Sequence, residues 1–319
     1  MTCAVYTALV IFGFLLGKET KVGNVGMAIT QVMLLLRSVQ YGMRNWTNLD
    51  NQMISVERIL EYSELKQEID DGGNFPPEPW PSEGNIELQS VSMRYSPDNP
   101  MVLQNVSFKV RGGEKVGIVG RTGAGKTSLI STLFRLFDFN GTIAIDGVDI
   151  KSIPLKTLRS KISIVPQDPV LFLGTLRKNL DPFNKFTDLQ IWNALEDVGL
   201  KEVVADLPLG LKYEISESGS NFSVGQKQLL CLVRTMLRKA KIVVLDEATA
   251  NVDLKTDKVI QSAIRRRFRG CTVLTIAHRL STIMDSDRIL VMNNGRVREF
   301  DQARKFMEYS DGFPCNFVN

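Results

Sequence analysis

Nine residues, Gly120-Arg121-Thr122-Gly123-Ala124-Gly125-Lys126-Thr127-Ser128, limit what this chain can fold into more than any other stretch. An apolar run, Lys115 to Val119, precedes them, and the apolar helical pattern Leu129, Ile130, Leu133, Phe134, Phe137 follows. Strand, glycine-rich turn and helix in that order make a phosphate-binding loop. The glycines let backbone N–H groups turn toward phosphate oxygens, and the dipole at the helix start favours negative charge there. Lys126 would reach the β- and γ-phosphates of a nucleotide, and the Thr127 hydroxyl would ligate Mg²⁺.

The surrounding pattern is that of an α/β domain. Ile86 to Tyr95 reads as a strand with a phase slip near Ser90, and Thr142 to Ile145 as a short strand before Asp146-Gly147. Lys115 to Val119, Ile242 to Leu245 and Thr272 to Ile276 suit strands buried on both faces. Helical patterns separate them, as parallel strands require. The second of these runs ends in Asp246-Glu247. Neighbours on a strand point to opposite sides, so both acids can serve one ligand only if the chain bends as it leaves the sheet. Asp246 would then hold Mg²⁺ through water while Glu247 orients or deprotonates an attacking water. Farther back, Ser223 and Gln226 have capping-box spacing ahead of Leu229, Leu230, Val233, Met236 and Leu237. By itself this marks a helix start, which is also a place where unpaired N–H groups can meet an anion.

The first 83 residues differ in character. Met1 to Gly17 carries no charge, and a second uncharged run, Val22 to Leu36, ends at Arg37. A membrane-spanning helix needs about 20 apolar residues. The first run barely reaches the lower limit and the second falls short. Met1-Thr2-Cys3 supplies no basic n-region for a signal peptide. The preferred expectation is two closing helices of a larger membrane domain, the first cut short, with Arg37 and Arg44 on the cytoplasmic side; a buried core helix is the alternative. Trp46, Leu49, Met53, Val56 and Leu60 form one helical stripe, suited to docking on another body or packing on the chain's own domain. Four of the 12 prolines fall between 76 and 81, an extended tether. The expected division is residues 1–63, a linker over 64–83, and a domain over 84–319.

Composition removes several alternatives. Lys plus Arg (39) against Asp plus Glu (35) leaves +4, too mild to call for nucleic acid, and the one basic cluster, Arg265, Arg266, Arg267 and Arg269, reads as a solvated helix face. Four cysteines lack CxxC spacing and there is one histidine, so a multi-histidine metal site is excluded.

Taken in order, Gly120–Ser128, Gln167, Ser223–Gln228, Asp246-Glu247, Asp253 and His278 resemble the nucleotide-binding domain of ATP-binding-cassette transporters. The resemblance covers residues 84–300. Val165-Pro166-Gln167-Asp168-Pro169-Val170-Leu171-Phe172, Asn179-Leu180-Asp181-Pro182-Phe183 and Ser223-Val224-Gly225-Gln226 look like the second such domain of the multidrug-resistance-associated (C) subfamily. Residues 1–63 resemble that family's last membrane helices and their cytoplasmic extension. The resemblance implies an α/β P-loop NTPase fold with a mixed core sheet, an antiparallel β subdomain and a helical subdomain. It also implies roles. Tyr95 would stack on adenine, and Gly120 to Ser128 would hold the ATP phosphates. Thr127, Gln167 and Asp246 would serve Mg²⁺. Glu247, His278 and Gln167 would be catalytic, with His278 on the γ-phosphate. Asp253 would cross the dimer interface. Ser223, Val224, Gly225 and Gln226 would bind ATP held by another nucleotide-binding domain. Val224 departs from the usual glycine, and such a signature belongs within the family to the poorly hydrolysing composite site.

The implied whole is a membrane exporter, in the plasma membrane with its nucleotide-binding domains cytoplasmic. Its partners would be an N-terminal nucleotide-binding domain, membrane domains, lipid, and an organic anion, conjugate or drug as cargo, with no nucleic acid. On this reading the chain is a fragment, and residues 302–319 match the family's ending poorly. A gating or regulatory ATP switch without transport, and a soluble cassette ATPase linked to nucleic acid, are the competing expectations.

Overall fold

The computed structural model describes residues 22–65, 67–68, 75–247, 252, 254–276, 283, 285–303 and 305, with 8, 11–13 and 15 near the start. The first uncharged run lies almost wholly outside them. The chain divides into two units, Met1–Ile69 and Asp70–Asn319.

In the first unit, Val22–Ser63 is one continuous helix of 42 residues, about 63 Å long at 1.5 Å per residue. No proline interrupts it, and Thr30, Ser38 and Thr47 return their hydroxyls to carbonyls four residues back. The uncharged run and the amphipathic stripe are thus a single element, and Trp46, Leu49, Met53, Val56 and Leu60 are all exposed. Among the described residues no helix is long and apolar enough to cross a membrane. Arg37 ends the uncharged stretch after 15 residues, about 22 Å against the ~30 Å of a bilayer core.

The second unit is layered. Its strands are β1 (Ile86–Met93), β2 (Leu103–Val110), β3 (Lys115–Val119), β4 (Phe139–Ile145), β5 (Val148–Asp149), β6 (Ile162–Val165), β7 (Gly174–Thr175), β8 (Glu214–Ile215), β9 (Ile242–Asp246), β10 (Thr272–Ile276), β11 (Arg288–Asn293) and β12 (Arg296–Gln302). A six-stranded sheet runs in the order β12-β11-β3-β10-β9-β6, parallel except for β12 at one edge. A separate antiparallel sheet has the order β2-β1-β4-β5, and β7 pairs with β8.

Every residue of β9 is buried, and its side chains alternate between two cores. Ile242 and Val244 join the antiparallel sheet and the helix Lys126–Leu133 in one cluster. Val243 and Leu245 join the helices Asp188–Asp197, Val224–Arg238 and Leu254–Arg267 in the other. The period of two along a strand produces this division, and it asks for apolar residues from Ile242 to Leu245, ahead of Asp246 at the end.

The phase slip near Ser90 is a bulge. Pairing with β2 shifts between Leu88 and Val91, Ser90 takes φ 52°, and its N–H donates to the Ser107 hydroxyl. The phosphate-loop helix ends at Leu133, before the apolar pattern does. Arg135 turns left-handed at φ 49°, and its guanidinium donates to the carbonyls of Ile150 and Ile153. Phe137 is thereby released to meet the Tyr95 ring edge-on, centroids 4.7 Å apart.

The segment preceding β1 is sewn to the end of β4. Trp80 lies in the first core and donates its indole N–H to the Ile145 carbonyl. The Asp146 carboxylate accepts the backbone N–H groups of Ser82, Glu83, Gly84 and Asn85 at 2.7–3.1 Å. Burial pushes the Asp146 carboxyl up, but the bonds from Gly84, Asn85 and Glu83 together outweigh it and hold it below the ordinary aspartate value. Because the folded value is depressed, this stabilisation is present above the ordinary value of 3.8 and is lost as the pH falls through the lower folded one. Asp146 stands at φ 47°, and Asp146→Asn keeps a residue tolerant of that conformation, yet should cost about 1–2 kcal/mol at neutral pH. The difference in thermal unfolding between wild type and variant should shrink below pH 3.8; a gap independent of pH would contradict this account of the knot.

Candidate functional site

The site forms where parallel strands of the six-stranded sheet end and their chains must leave it, the edge at which open α/β sheets bind ligands. After β3, Gly120 passes so close to β11 that a Cβ there would lie 2.5 Å from the Met292 carbonyl oxygen. Gly125 caps the helix Lys126–Leu133 at φ 97°, a conformation that disfavours a side chain, and no side chain caps that helix start. The first N–H groups are therefore left for an anion.

Lys126 is buried, and its ammonium folds back onto the loop, donating to the carbonyls of Gly120 at 2.7 Å and Arg121 at 3.3 Å. Burial holds its pKa below the ordinary lysine value, while the carboxylates of Glu247 and Asp246 act in the opposite sense. Thr127 is exposed beside it and Ser128 is buried. The Ser128 hydroxyl lies 2.8 Å from the Tyr95 hydroxyl, so Tyr95 is held to the loop by its phenol and to Phe137 by its ring edge.

Asp246 closes β9 and is buried. Glu247 breaks from the strand at φ 48°, its N–H donating to the Ile276 carbonyl. This is the bend that two adjacent acids needed. Gln167, two residues beyond the end of β6, is exposed; its amide N–H donates to Glu247 Oε2 at 2.9 Å. Gln167 and Glu247, 80 residues apart, thus meet, and the Glu247 carboxylate acts electrostatically on Lys126.

Ser223 and Gln226 form the expected capping box at the start of the helix Val224–Arg238. The Ser223 hydroxyl accepts the Gln226 N–H, and the Gln226 side chain accepts the Ser223 N–H. These hydrogen bonds stay within the motif. Val224 is exposed, and a Cβ on Gly225 would lie 2.9 Å from Val252 Cγ1, so Gly225 is required by packing. Asp253 and His278, like 248–251, lie outside the described residues.

The contacts of three groups, Gln228, Arg234 and Asn179, had not been read from the sequence. Gln228, buried, donates its side-chain N–H to the Pro166 carbonyl at 3.0 Å. Arg234 donates to the carbonyls of Val170 and Asn179 and to the Asn179 side chain. Asn179 in turn exchanges two bonds with the Phe172 backbone. The available signal was Arg234, one charge inside Leu229-Leu230-Cys231-Leu232-Val233-Arg234-Thr235-Met236-Leu237, since a cation in an apolar face needs partners. In the basic cluster, Arg265 pairs with Asp285, and Arg266 and Arg267 with Asp197.

Comparison with known proteins agrees with this geometry. The family model described as ABC transporter matches residues 103–250. The chain is 52% identical over 302 residues to ATP-binding cassette sub-family C member 4 of Homo sapiens, across 94% of this chain and 23% of that protein. It is 50% identical to the probable multidrug resistance-associated protein lethal(2)03659 of Drosophila melanogaster, across 97% of this chain and 23% of the other. With ATP-binding cassette sub-family C member 2 of Homo sapiens the identity is 46%, across 93% and 19%. The chain therefore spans about a quarter or less of the length of these relatives.

Removing the loop's cation should be felt in binding. Lys126→Ala should weaken ATP affinity on the order of 10- to 100-fold, since a hydrogen bond from a charged donor contributes roughly 1.5–3 kcal/mol. Titration with a fluorescent ATP analogue reads this directly, and unchanged affinity would remove Lys126 from the phosphate site.

Proposed function

We propose that this chain, which matches the ABC transporter family model over residues 103–250, supplies the hydrolytic half of a composite ATP site in a membrane exporter of organic anions, conjugates or drugs. The hydrogen bond between Gln167 and Glu247, whose carboxylate acts electrostatically on Lys126, carries this reading. In it, Tyr95 stacks on adenine and the turn Gly120 to Ser128 receives the phosphates. Lys126 exchanges the loop carbonyls for β- and γ-phosphate oxygens, which offer its ammonium charged acceptors in place of neutral ones.

The residues fit Mg²⁺ as well. The Thr127 hydroxyl, the Asp246 carboxylate and the Gln167 amide oxygen, whose NH₂ is already engaged by Glu247, are the hard oxygen donors this ion prefers. Bound there, Mg²⁺ would neutralise charge on the β- and γ-phosphates. Glu247 orients the attacking water and accepts its proton, Gln167 holds Glu247 in the required direction, and His278 contacts the γ-phosphate. Such general-base assistance typically contributes 10²–10⁴-fold.

The signature Ser223 to Gln226 serves ATP held by a second nucleotide-binding domain, and Asp253 lies at the interface between the two. That second domain, membrane domains and surrounding lipid are the partners this reading requires. ATP would close the two nucleotide-binding domains and hydrolysis would reopen them, moving the membrane domains between inward- and outward-facing states. The nucleotide-binding domain would be cytoplasmic and the membrane the plasma membrane. Exposed Val224 would keep the signature's partner site the weaker of the pair.

Glu247→Gln keeps size and hydrogen-bonding capacity but removes the base. In the assembled transporter, ATP binding should stay within about twofold while phosphate release falls at least ~100-fold. Turnover equal to wild type would refute Glu247 as the base.

A further inference from the structure

A short chain of contacts runs from the signature helix to the proposed base. Gln228 is the fifth residue of the helix Val224–Arg238, two positions beyond the end of the signature motif's Gln226. It is 3% exposed, and its side-chain N–H donates to the Pro166 carbonyl at 3.0 Å. Residue 167 comes next along the backbone, and its amide donates to Glu247 at 2.9 Å. Val165, on the other side of Pro166, is fixed in the second core together with Leu229 and Leu230 of the same helix. The Pro166–Gln167 peptide is thus the place where the chain leaves a packed strand and begins a loop. Two turns farther along, Arg234 holds the far part of that loop through the Val170 carbonyl. One helix therefore grips the loop on both sides of Gln167, and its N-terminus is the signature itself.

We infer that Gln228 is a positioning residue for hydrolysis: through the Pro166 carbonyl it holds the Gln167 amide against Glu247, so that the signature helix sets the direction in which the base points. A buried amide that only satisfied a buried carbonyl would support the fold without regard to residue 167. A positioning amide acts only through residue 167. Displacement of the helix on anion docking at its first turn would pass to Glu247 by the same contacts, because the carbonyl that Gln228 holds belongs to the peptide that carries Gln167.

This inference rests on the proposed function, and the test separates the two. Gln228→Met replaces the amide by an apolar side chain of similar length. It is measured in the assembled transporter, on the wild-type and on the Gln167→Ala background, as a double-mutant cycle. On the wild-type background kcat should fall on the order of tenfold, in keeping with the cost of misplacing a catalytic group by a fraction of an ångström to an ångström. KM for ATP should stay within about twofold. On the Gln167→Ala background the same change should cost less than about twofold in kcat. Equal losses on both backgrounds, or a rise in KM with kcat unchanged, would overturn the inference. Gln228→Asn, which keeps the amide but withdraws it by one methylene, is expected to give the same pattern and serves if the methionine variant does not assemble. Glu247→Gln is run in parallel. If it retains turnover, the base assignment falls and the inference falls with it. If it loses turnover while Gln228→Met acts equally on both backgrounds, the inference alone is wrong.

Discussion

The site depends on burying β9 on both faces. A strand whose alternate residues fill two different cores has no polar face, so every group that must meet water or a ligand is displaced to its end. β3 and β10 in the parallel sheet are nearly as buried, and β6, at the sheet edge, exposes Ile164. Their exits place the glycine loop, Gln167 and the acidic pair along one edge. The two cores also divide the labour of holding them. The first packs the phosphate-loop helix against the antiparallel sheet, and the second packs the signature helix against the strand that leads to Gln167.

Backbone strain marks where this arrangement turns into chemistry. Glu247 stands at φ 48°, unusual for a residue with a long side chain. The bend is what lets consecutive acids, which a straight strand would send to opposite faces, serve one site. A hydrogen bond from its N–H to Ile276 on β10 and another from Gln167 to its carboxylate hold it there. Lys126 makes a similar statement in electrostatic terms. Burial lowers its pKa, the acids at the end of β9 act in the opposite sense, and the ammonium rests on the loop carbonyls.

What could be read in the sequence was what neighbours in the chain determine. The phosphate loop, the strands buried on both faces, the bulge at Ser90 and the cap formed by Ser223 and Gln226 all leave local marks in residue type and period. Even the bend at Glu247 followed from the sidedness of a strand. Contacts between distant segments left no such mark. Gln228 reaches across 62 residues to Pro166, and Asp146 gathers N–H groups from 61 to 64 residues earlier. β12 escaped as well, since Arg296-Val297-Arg298-Glu299-Phe300-Asp301-Gln302 is charged, half-exposed and paired on one side only, the composition of an edge strand rather than of a core one. The helix Val22–Ser63 carries the uncharged run that ends before Arg37 and the amphipathic stripe from Trp46 on one continuous backbone.

The central claim is that ATP bound to this chain's own loop is the ATP that is hydrolysed, with a signature from a second domain completing the site. Trapping with orthovanadate, which occupies the position vacated by the γ-phosphate, tests it most directly. The assembled transporter would be incubated with a photoreactive ATP analogue, Mg²⁺ and vanadate, irradiated, and cleaved to locate the label. Trapped nucleotide on peptides containing Tyr95 and the Gly120 to Ser128 loop is the predicted result. Label confined to the other nucleotide-binding domain would contradict the account.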